Sequence, residues 1–398
     1  MTSEWPADAR ATFDDLRASG WKPTPFREFV LKIHQRCNLS CDYCYVYHSA
    51  DQSWRTKPTR MPTRVWRQTV GRIAEHVAAH GLDRVHVVLH GGEPLLAGVA
   101  TIRAIVEALR ASVPCTVDVT MQTNGVLLTE EILAALQARG VRVAVSVDGE
   151  ASAHDVHRRG PDGHGSYAAV ARALSLLGSE SYRRSFAGLL CTVDVRSDPV
   201  ATYEALVGHS PPAIDFLLPH ANWANPPAAG GGTPHGDWLV AAFDRWYDAP
   251  KRETRVRLFD SVVMLVLGGA SRSEQVGLSA VPLVVVESDG AVEQVDSLKS
   301  AYEGAAATGL HVETDPFDAA LSHPGIVARQ IGSAALSATC HDCRLMRVCG
   351  GGSYTHRYRP GHGFRNPSVY CADLIRFIDH VIGRVRPDVE RLRSAVAR

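Results

Sequence analysis

Cys37, Cys41 and Cys44 stand in a C-x3-C-x2-C spacing on one short stretch of chain. Thiolates are soft ligands, and three of them can hold three irons of a [4Fe-4S] cubane while the fourth iron keeps no protein ligand. That open iron is a chelation point for the amino and carboxylate groups of a small cofactor. Reduction of such a cluster can break a carbon–sulfur bond in an adjacent sulfonium, releasing a carbon radical that takes hydrogen from an unactivated C–H. The other reading of the loop is a zinc site, with His34 or His48 as the fourth ligand.

A second group lies near the other end of the chain. Cys340, Cys343 and Cys349 give C-x2-C-x5-C, and Cys371 follows after a gap. Four thiolates suit one closed site, either iron–sulfur or structural zinc. Cys115 and Cys191 stand alone in apolar strand-like stretches and read as core residues. Nine cysteines in 398 residues are few and odd for a disulfide scaffold, so the clusters point to metal.

Such loops need rigid elements to aim them. FREFVLKI reads as a strand running straight into the first cysteine, and strand-like and helix-like segments then alternate through AIDFLLP. The alternation predicts an α/β fold: a parallel sheet with right-handed crossovers in about six βα repeats, as an open barrel. Polar motifs fall at successive strand ends, with the cysteine loop after strand one, HGGEP after strand two, QTNG after strand three and SVDG after strand four. In such folds the C-terminal strand ends converge on one mouth.

The expected organisation is an N-terminal helical segment at 1–27, the barrel at 28–220, a linker with bridging helices at 221–270 and a cysteine module with a terminal helix at 271–398. The linker begins with the Pro, Gly and Ala-rich stretch ANWANPPAAGGGTPHG, and a hairpin is expected around Asp289 and Gly290, because a D-G pair between β-rich runs is a turn signal.

Charge is balanced, 42 Lys and Arg against 42 Asp and Glu, so no overall field draws the chain to nucleic acid or to an anionic membrane. No apolar run is long enough to span a bilayer, and the first residues hold no apolar signal core. A soluble, cytoplasmic protein is expected, with neither nucleic acid nor membrane as partner.

Tyr43 directly before the third cysteine and Asn38 after the first complete a pattern that resembles the C-x3-C-x-φ-C signature of radical S-adenosylmethionine (SAM) enzymes. The resemblance implies a partial (β/α)6 TIM-like barrel and SAM as cofactor. It also implies SAM contacts at Gly91, Gly92 and Glu93, at Gln122, Thr123 and Asn124, and at Ser146 and Asp148. HDVHR, followed by a G-x-G-S segment at Gly163 to Ser166, implies that Arg158 pairs with the cofactor carboxylate.

The run CHDCRLMRVCGGGSYTHRY is similar to the core of SPASM domains, which carry auxiliary iron–sulfur clusters. Ser353 stands at one position where that core has cysteine, and Val295 stands at another, after the hairpin. The resemblance therefore implies that one auxiliary cluster is lost and one survives on Cys340, Cys343, Cys349 and Cys371, giving two [4Fe-4S] clusters in all. Asp296 falls where some SPASM enzymes have a catalytic carboxylate, with Glu293 as a rival on the same hairpin. An exposed hairpin Asp is the alternative.

The whole layout resembles the FxsB-like radical SAM/SPASM enzymes. This implies a maturase of a ribosomally made precursor peptide: a 5′-deoxyadenosyl radical removes a Cβ hydrogen, and the carbon radical joins an aromatic ring as a cyclophane. The surviving cluster is expected to take up an electron, and an external flavodoxin or ferredoxin-type donor to supply the reductant. Other radical peptide modifications (thioether formation, epimerisation, sulfatase-type formylglycine formation) are alternatives, as is a noncatalytic zinc-binding peptide adaptor. About 27 residues precede strand one, so the peptide is expected to dock on the barrel or SPASM surface. His220, Trp223, Trp246 and Tyr247 are either its route or packing.

Overall fold

A computed structural model describes residues 4–7, 9–227, 231–271 and 273–396. Six strands follow in chain order with helices between them: β1 (Glu28–His34), β2 (Arg84–Gly91), β3 (Thr116–Thr123), β4 (Val141–Ser146), β5 (Phe186–Thr192) and β6 (Ala213–Leu217). All neighbouring pairs among them are parallel. They are the six repeats expected from the sequence, and the sheet stays open, as a partial barrel does.

The sheet is wider than six strands. The short β7 (Arg255–Val256) pairs parallel with β6, inside the 221–270 region expected to hold a linker and bridging helices. Two residues carry too little periodicity to be seen in sequence; helices Pro234–Tyr247 and Arg257–Val266 flank them as expected. On the other side, β8 (Leu283–Val286) pairs parallel with β1, and β9 (Ala291–Glu293) and β10 (Ala307–His311) follow antiparallel. One ten-stranded sheet therefore runs across the boundary drawn at residue 271, in the order β10-β9-β8-β1-β2-β3-β4-β5-β6-β7. The expected hairpin turns at Asp289 and Gly290, and Gly290 is required there: its φ is +103° and a Cβ would meet the His311 ring at 2.8 Å.

Period-two alternation explains which side chains reach the mouth. One face of each strand carries fully buried residues such as Leu31, Leu89, Met121 and Val145, packed under the outer helices. The other face carries Lys32, His90, Gln122 and Ser146 at the C-terminal strand ends, with Lys32 and His90 in direct register.

A second apolar cluster joins the N-terminal segment to the C-terminal region through Trp5, Phe13, Leu298, Tyr354 and Phe364. Val295, at the position where the SPASM pattern has cysteine, is 4 % exposed and part of this cluster. The helix Cys371–Val396 packs Phe377 against Phe243 and Phe259 of the bridging helices. Among the described residues no helix is long and apolar enough to cross a membrane.

Candidate active site

β1 delivers the chain into the cysteine loop, and the loop is pinned from two sides by main-chain hydrogen bonds. Gly92 N donates to His34 O at 2.8 Å and Glu93 N to Arg36 O at 3.0 Å. From the other side, Ser40 N donates to Arg159 O at 2.7 Å. The two glycines of HGGEP are needed for this contact: a Cβ on Gly91 would lie 2.1 Å from His34 O, and one on Gly92 would lie 1.9 Å from the Tyr47 hydroxyl.

Glu93 braces the pocket. Its buried carboxylate accepts from Leu95 N (3.0 Å), from Thr123 Oγ1 (2.8 Å) and from Asn124 N (2.8 Å), locking the end of β2 to the end of β3. Asn124 in turn donates from Nδ2 to Asn38 Oδ1 at 2.8 Å and approaches Cys37 Sγ at 3.5 Å. Gln122 Nε2 donates to Ser146 Oγ at 2.9 Å across β3 and β4. The strand-end motifs thus form one connected surface around the cysteines.

Tyr43 sits between opposite charges. Its hydroxyl donates to Asp148 Oδ2 and accepts from Arg158 Nη1 at 2.7 Å. Burial raises the Tyr43 pKa despite the nearby guanidinium, so the phenol stays protonated. Arg158 is 8 % exposed, and its Nε has no hydrogen-bond partner among the described residues.

Three features test whether SAM and an open cluster fit here. The three thiols are free, and burial pushes Cys37 up to about 11 and raises Cys41, so these two ionise only against a cation. A buried guanidinium N–H without a partner stands beside them, suited to a carboxylate. The glycine turn leaves room for close approach. His34, a candidate fourth zinc ligand, accepts from Arg36 N through Nδ1 at 3.2 Å, and His48 is exposed. The residues fit the cluster and cofactor.

Behind the loop lies a buried charge cluster. Lys32 Nζ donates to Asp296 Oδ2 at 2.7 Å, and Lys299 Nζ donates to Glu287 Oε1 at 2.6 Å and stands 2.8 Å from Glu293 Oε2. Tyr45, next to Cys44, reaches Asp296 Oδ2 at 3.4 Å and stacks edgewise on His220 at 4.8 Å. Burial opposes the charge on Asp296, but Lys32 and Lys299 outweigh it and hold its pKa well below the usual carboxylate range. Burial and neighbouring Glu287 push Glu293 the other way, up to about 7. Asp296 is 8 % exposed, and its Oδ1 has no hydrogen-bond partner among the described residues.

The C-terminal cysteines gather separately. Cys349 lies within electrostatic range of Cys340 and Cys371, and Cys371 within range of Cys340 and Cys343. Burial pushes the Cys349 thiol up to about 12. Arg357 closes this site by donating from Nε to Gly351 O (3.1 Å) and from Nη2 to Gly350 O (2.6 Å) and Gly352 O (2.7 Å). Four free thiols and a turn packed this tightly fit a closed cluster.

Residues 31–193 match the model of the Radical SAM superfamily. This span contains the cysteine loop and the three strand-end motifs that follow it, so this part of the chain is a radical SAM domain, with SAM and iron–sulfur clusters as its cofactors. Along nearly its whole length the chain is similar to the serine-type anaerobic sulfatase-maturating enzyme of Klebsiella aerogenes, 25 % identical over 386 residues that cover 94 % of this chain and 89 % of the relative. The fold matches the structure of native anSMEcpe with bound AdoMet and Cp18Cys peptide (TM-score 0.77, 21 % identity, 92 % of this chain and 99 % of that one). It also matches Streptococcus suis SuiB bound to precursor peptide SuiA (TM-score 0.59, 13 % identity, 92 % and 80 %).

Sequence reasoning missed Lys32, Tyr45, Glu287, Lys299 and Arg357. Lys32 had a signal, since a charge inside FREFVLKI breaks an otherwise apolar strand end; Glu287 ends VPLVVVE in the same way. Of the residues proposed as a peptide route, His220 faces Tyr45, Trp246 is buried in a helix core and Trp223 is exposed with Nε1 donating to Pro367 O at 2.8 Å. Cys191 is buried as expected, and Cys115 is half-buried.

Proposed function

We propose that this enzyme matures a ribosomally synthesised precursor peptide in the cytoplasm by oxidising one side chain at Cβ and joining it to a nearby aromatic ring. The observation that carries this reading is Asp296: an ionised, buried carboxylate with one unpartnered oxygen, tied through Tyr45 to the cysteine loop. When bound, SAM and the cluster on Cys37, Cys41 and Cys44 would supply a radical for hydrogen removal, and a cluster on the four C-terminal cysteines a one-electron acceptor. An external flavodoxin or ferredoxin-type protein is the electron donor.

The chain's own residues have distinct tasks. Arg158 holds the cofactor carboxylate with its free Nε–H, while Gly91 and Gly92 admit its methionyl end. Gln122, Thr123, Asn124 and Ser146 shape the wall, and Glu93 positions it. After the Cβ radical adds to the arene, loss of one electron and one proton restores aromaticity, and Asp296 Oδ1 takes the proton. Lys32 and Lys299 keep that oxygen ionised beforehand.

A second reading is formylglycine formation at a Ser or Cys, favoured by the sulfatase-maturating relatives that align along nearly the whole chain. Both readings begin at Cβ and need the same base. Coexpression with a short neighbouring open reading frame, followed by tandem mass spectrometry, separates them. A crosslink suppresses fragmentation between two residues, whereas formylglycine gives an aldehyde that reacts with a hydrazide. An unmodified peptide beside active SAM cleavage would overturn the first reading.

A further inference from the structure

The outer helix Thr63–His80 carries His76 and His80 one turn apart on one face, and the short helix Phe317–Ala320 brings Asp318 against both. Asp318 Oδ1 contacts His76 Nδ1, and His80 Nε2 lies 3.1 Å from each Asp318 oxygen. One ligand atom from each residue falls within 4.8 Å of the others. This cluster lies outside the active site, and neither cofactor chemistry nor peptide maturation uses it.

Two further observations point to a cation. His76 is 2 % exposed, so its ring nitrogens are shielded from water. Its Nε2 has no hydrogen-bond partner among the described residues. In the tautomer protonated at Nε2, the bare lone pair of Nδ1 faces the Asp318 carboxylate, and a cation between the two groups would satisfy both.

The other cluster of three acidic residues, Glu287, Glu293 and Asp296, differs, because Lys32 and Lys299 already supply its cations. Among the described residues no lysine or arginine pairs with Asp318. Its side chain is 42 % exposed and that of His80 26 % exposed, which leaves a path for an ion and room for water as a fourth ligand.

We propose that His76, His80 and Asp318 form a divalent transition-metal site, best suited to zinc, that clips the barrel helix Thr63–His80 to the segment after β10. Two imidazoles and a carboxylate match zinc's preferred ligands, and an i, i+4 histidine pair on a helix presents both to one ion. The clip is structural. It bonds an element before β2 to one after β10, next to the packing of Phe317 on Phe29 at 5.1 Å.

The test uses the full chain with its iron–sulfur clusters assembled, so that cysteines are occupied, titrated with zinc alone. The expected result is about one zinc bound per chain, with a zinc X-ray absorption spectrum showing nitrogen and oxygen neighbours and no sulfur. His80→Ala and Asp318→Asn change half-exposed side chains and should lose at least ~10-fold in zinc affinity. Iron content should stay unchanged, and the zinc-dependent rise in Tm should vanish in both variants. Zinc with sulfur neighbours, or equal binding by wild type and both variants, would overturn the site.

Discussion

The two cysteine sites are each served by one buried arginine, and the arginines are used in opposite ways. Arg357 directs Nε and Nη2 to the carbonyls of Gly350, Gly351 and Gly352, so its hydrogen bonds close a turn of its own chain. Arg158 gives Nη1 to Tyr43 and leaves Nε without a hydrogen-bond partner among the described residues. A site with four thiols is finished by the chain that makes it. A site with three thiols keeps a donor in reserve for a group that arrives from outside, and the surrounding motifs hold that donor still.

This contrast is broken most severely at the ligands. Cys37→Ala should abolish SAM cleavage while the iron held by the C-terminal cysteines remains, whereas Cys343→Ala should lose the C-terminal iron and retain SAM cleavage. Iron and sulfide per chain, measured beside 5′-deoxyadenosine formation, read both at once. If Cys343→Ala stops cofactor cleavage as completely as Cys37→Ala, the two sites are not separable.

Next in size is Asp296, the proposed base. Asp296→Asn keeps the shape and the contact with Lys32 but removes the proton acceptor, and should lower peptide product by about 10²-fold or more. SAM cleavage should continue in that variant, uncoupled from product. Equal loss of cleavage and product would make Asp296 a positioning residue for the cofactor instead.

The arginine pair gives a smaller effect. Arg158→Lys replaces a fork by a point charge, and SAM should bind roughly 10-fold more weakly. Arg357→Lys should leave SAM affinity unchanged and release C-terminal iron, as followed by calorimetry and iron analysis. Loss of SAM affinity in both variants would remove the distinction on which the comparison rests.

Much of this arrangement was legible from local pattern. Strand–helix alternation carried the parallel sheet because buried faces repeat with fixed periods, and Gly91, Gly92 and Asn124 stood out at strand ends. What was not legible depends on distant packing. Glu93 reads as a cofactor contact beside two glycines, yet its carboxylate is occupied by Leu95, Thr123 and Asn124. The pairing of β8 with β1 joins residues some 250 apart, and no local period encodes it. Asp296 reads as either base or exposed hairpin residue from sequence; only Lys32, from β1, resolves it as buried and ionised. Val295 and Ser353 marked a missing cluster, but not that Trp5 and Phe13 from the N-terminal segment help form the apolar cluster around Val295.

The smallest expected effect concerns acid. His154 beside the open site and His356 near the closed one are both held down to about 3, and His220 between them to about 4, by burial. Unfolded imidazoles take protons below about 6.5, while these folded ones do not, so the unfolded state binds more protons as pH falls. Their contribution to stability is therefore full above pH 6.5 and is lost progressively toward pH 4. Glu293, pushed up to about 7, acts oppositely between its unfolded value of 4.5 and 7, because there the folded state holds the extra proton. The net uptake on unfolding near pH 5.5 is then fewer than three protons, and stability should still fall with acid. Denaturant midpoints at pH 7 and 5.5 measure it. His154→Asn and His356→Asn should each flatten the slope by up to one proton, about 1.4 kcal/mol per pH unit at most. A slope flattened by His356→Asn alone would mean that the open site already admits water to His154, the asymmetry expected of a pocket built to receive a cofactor beside one built to stay closed.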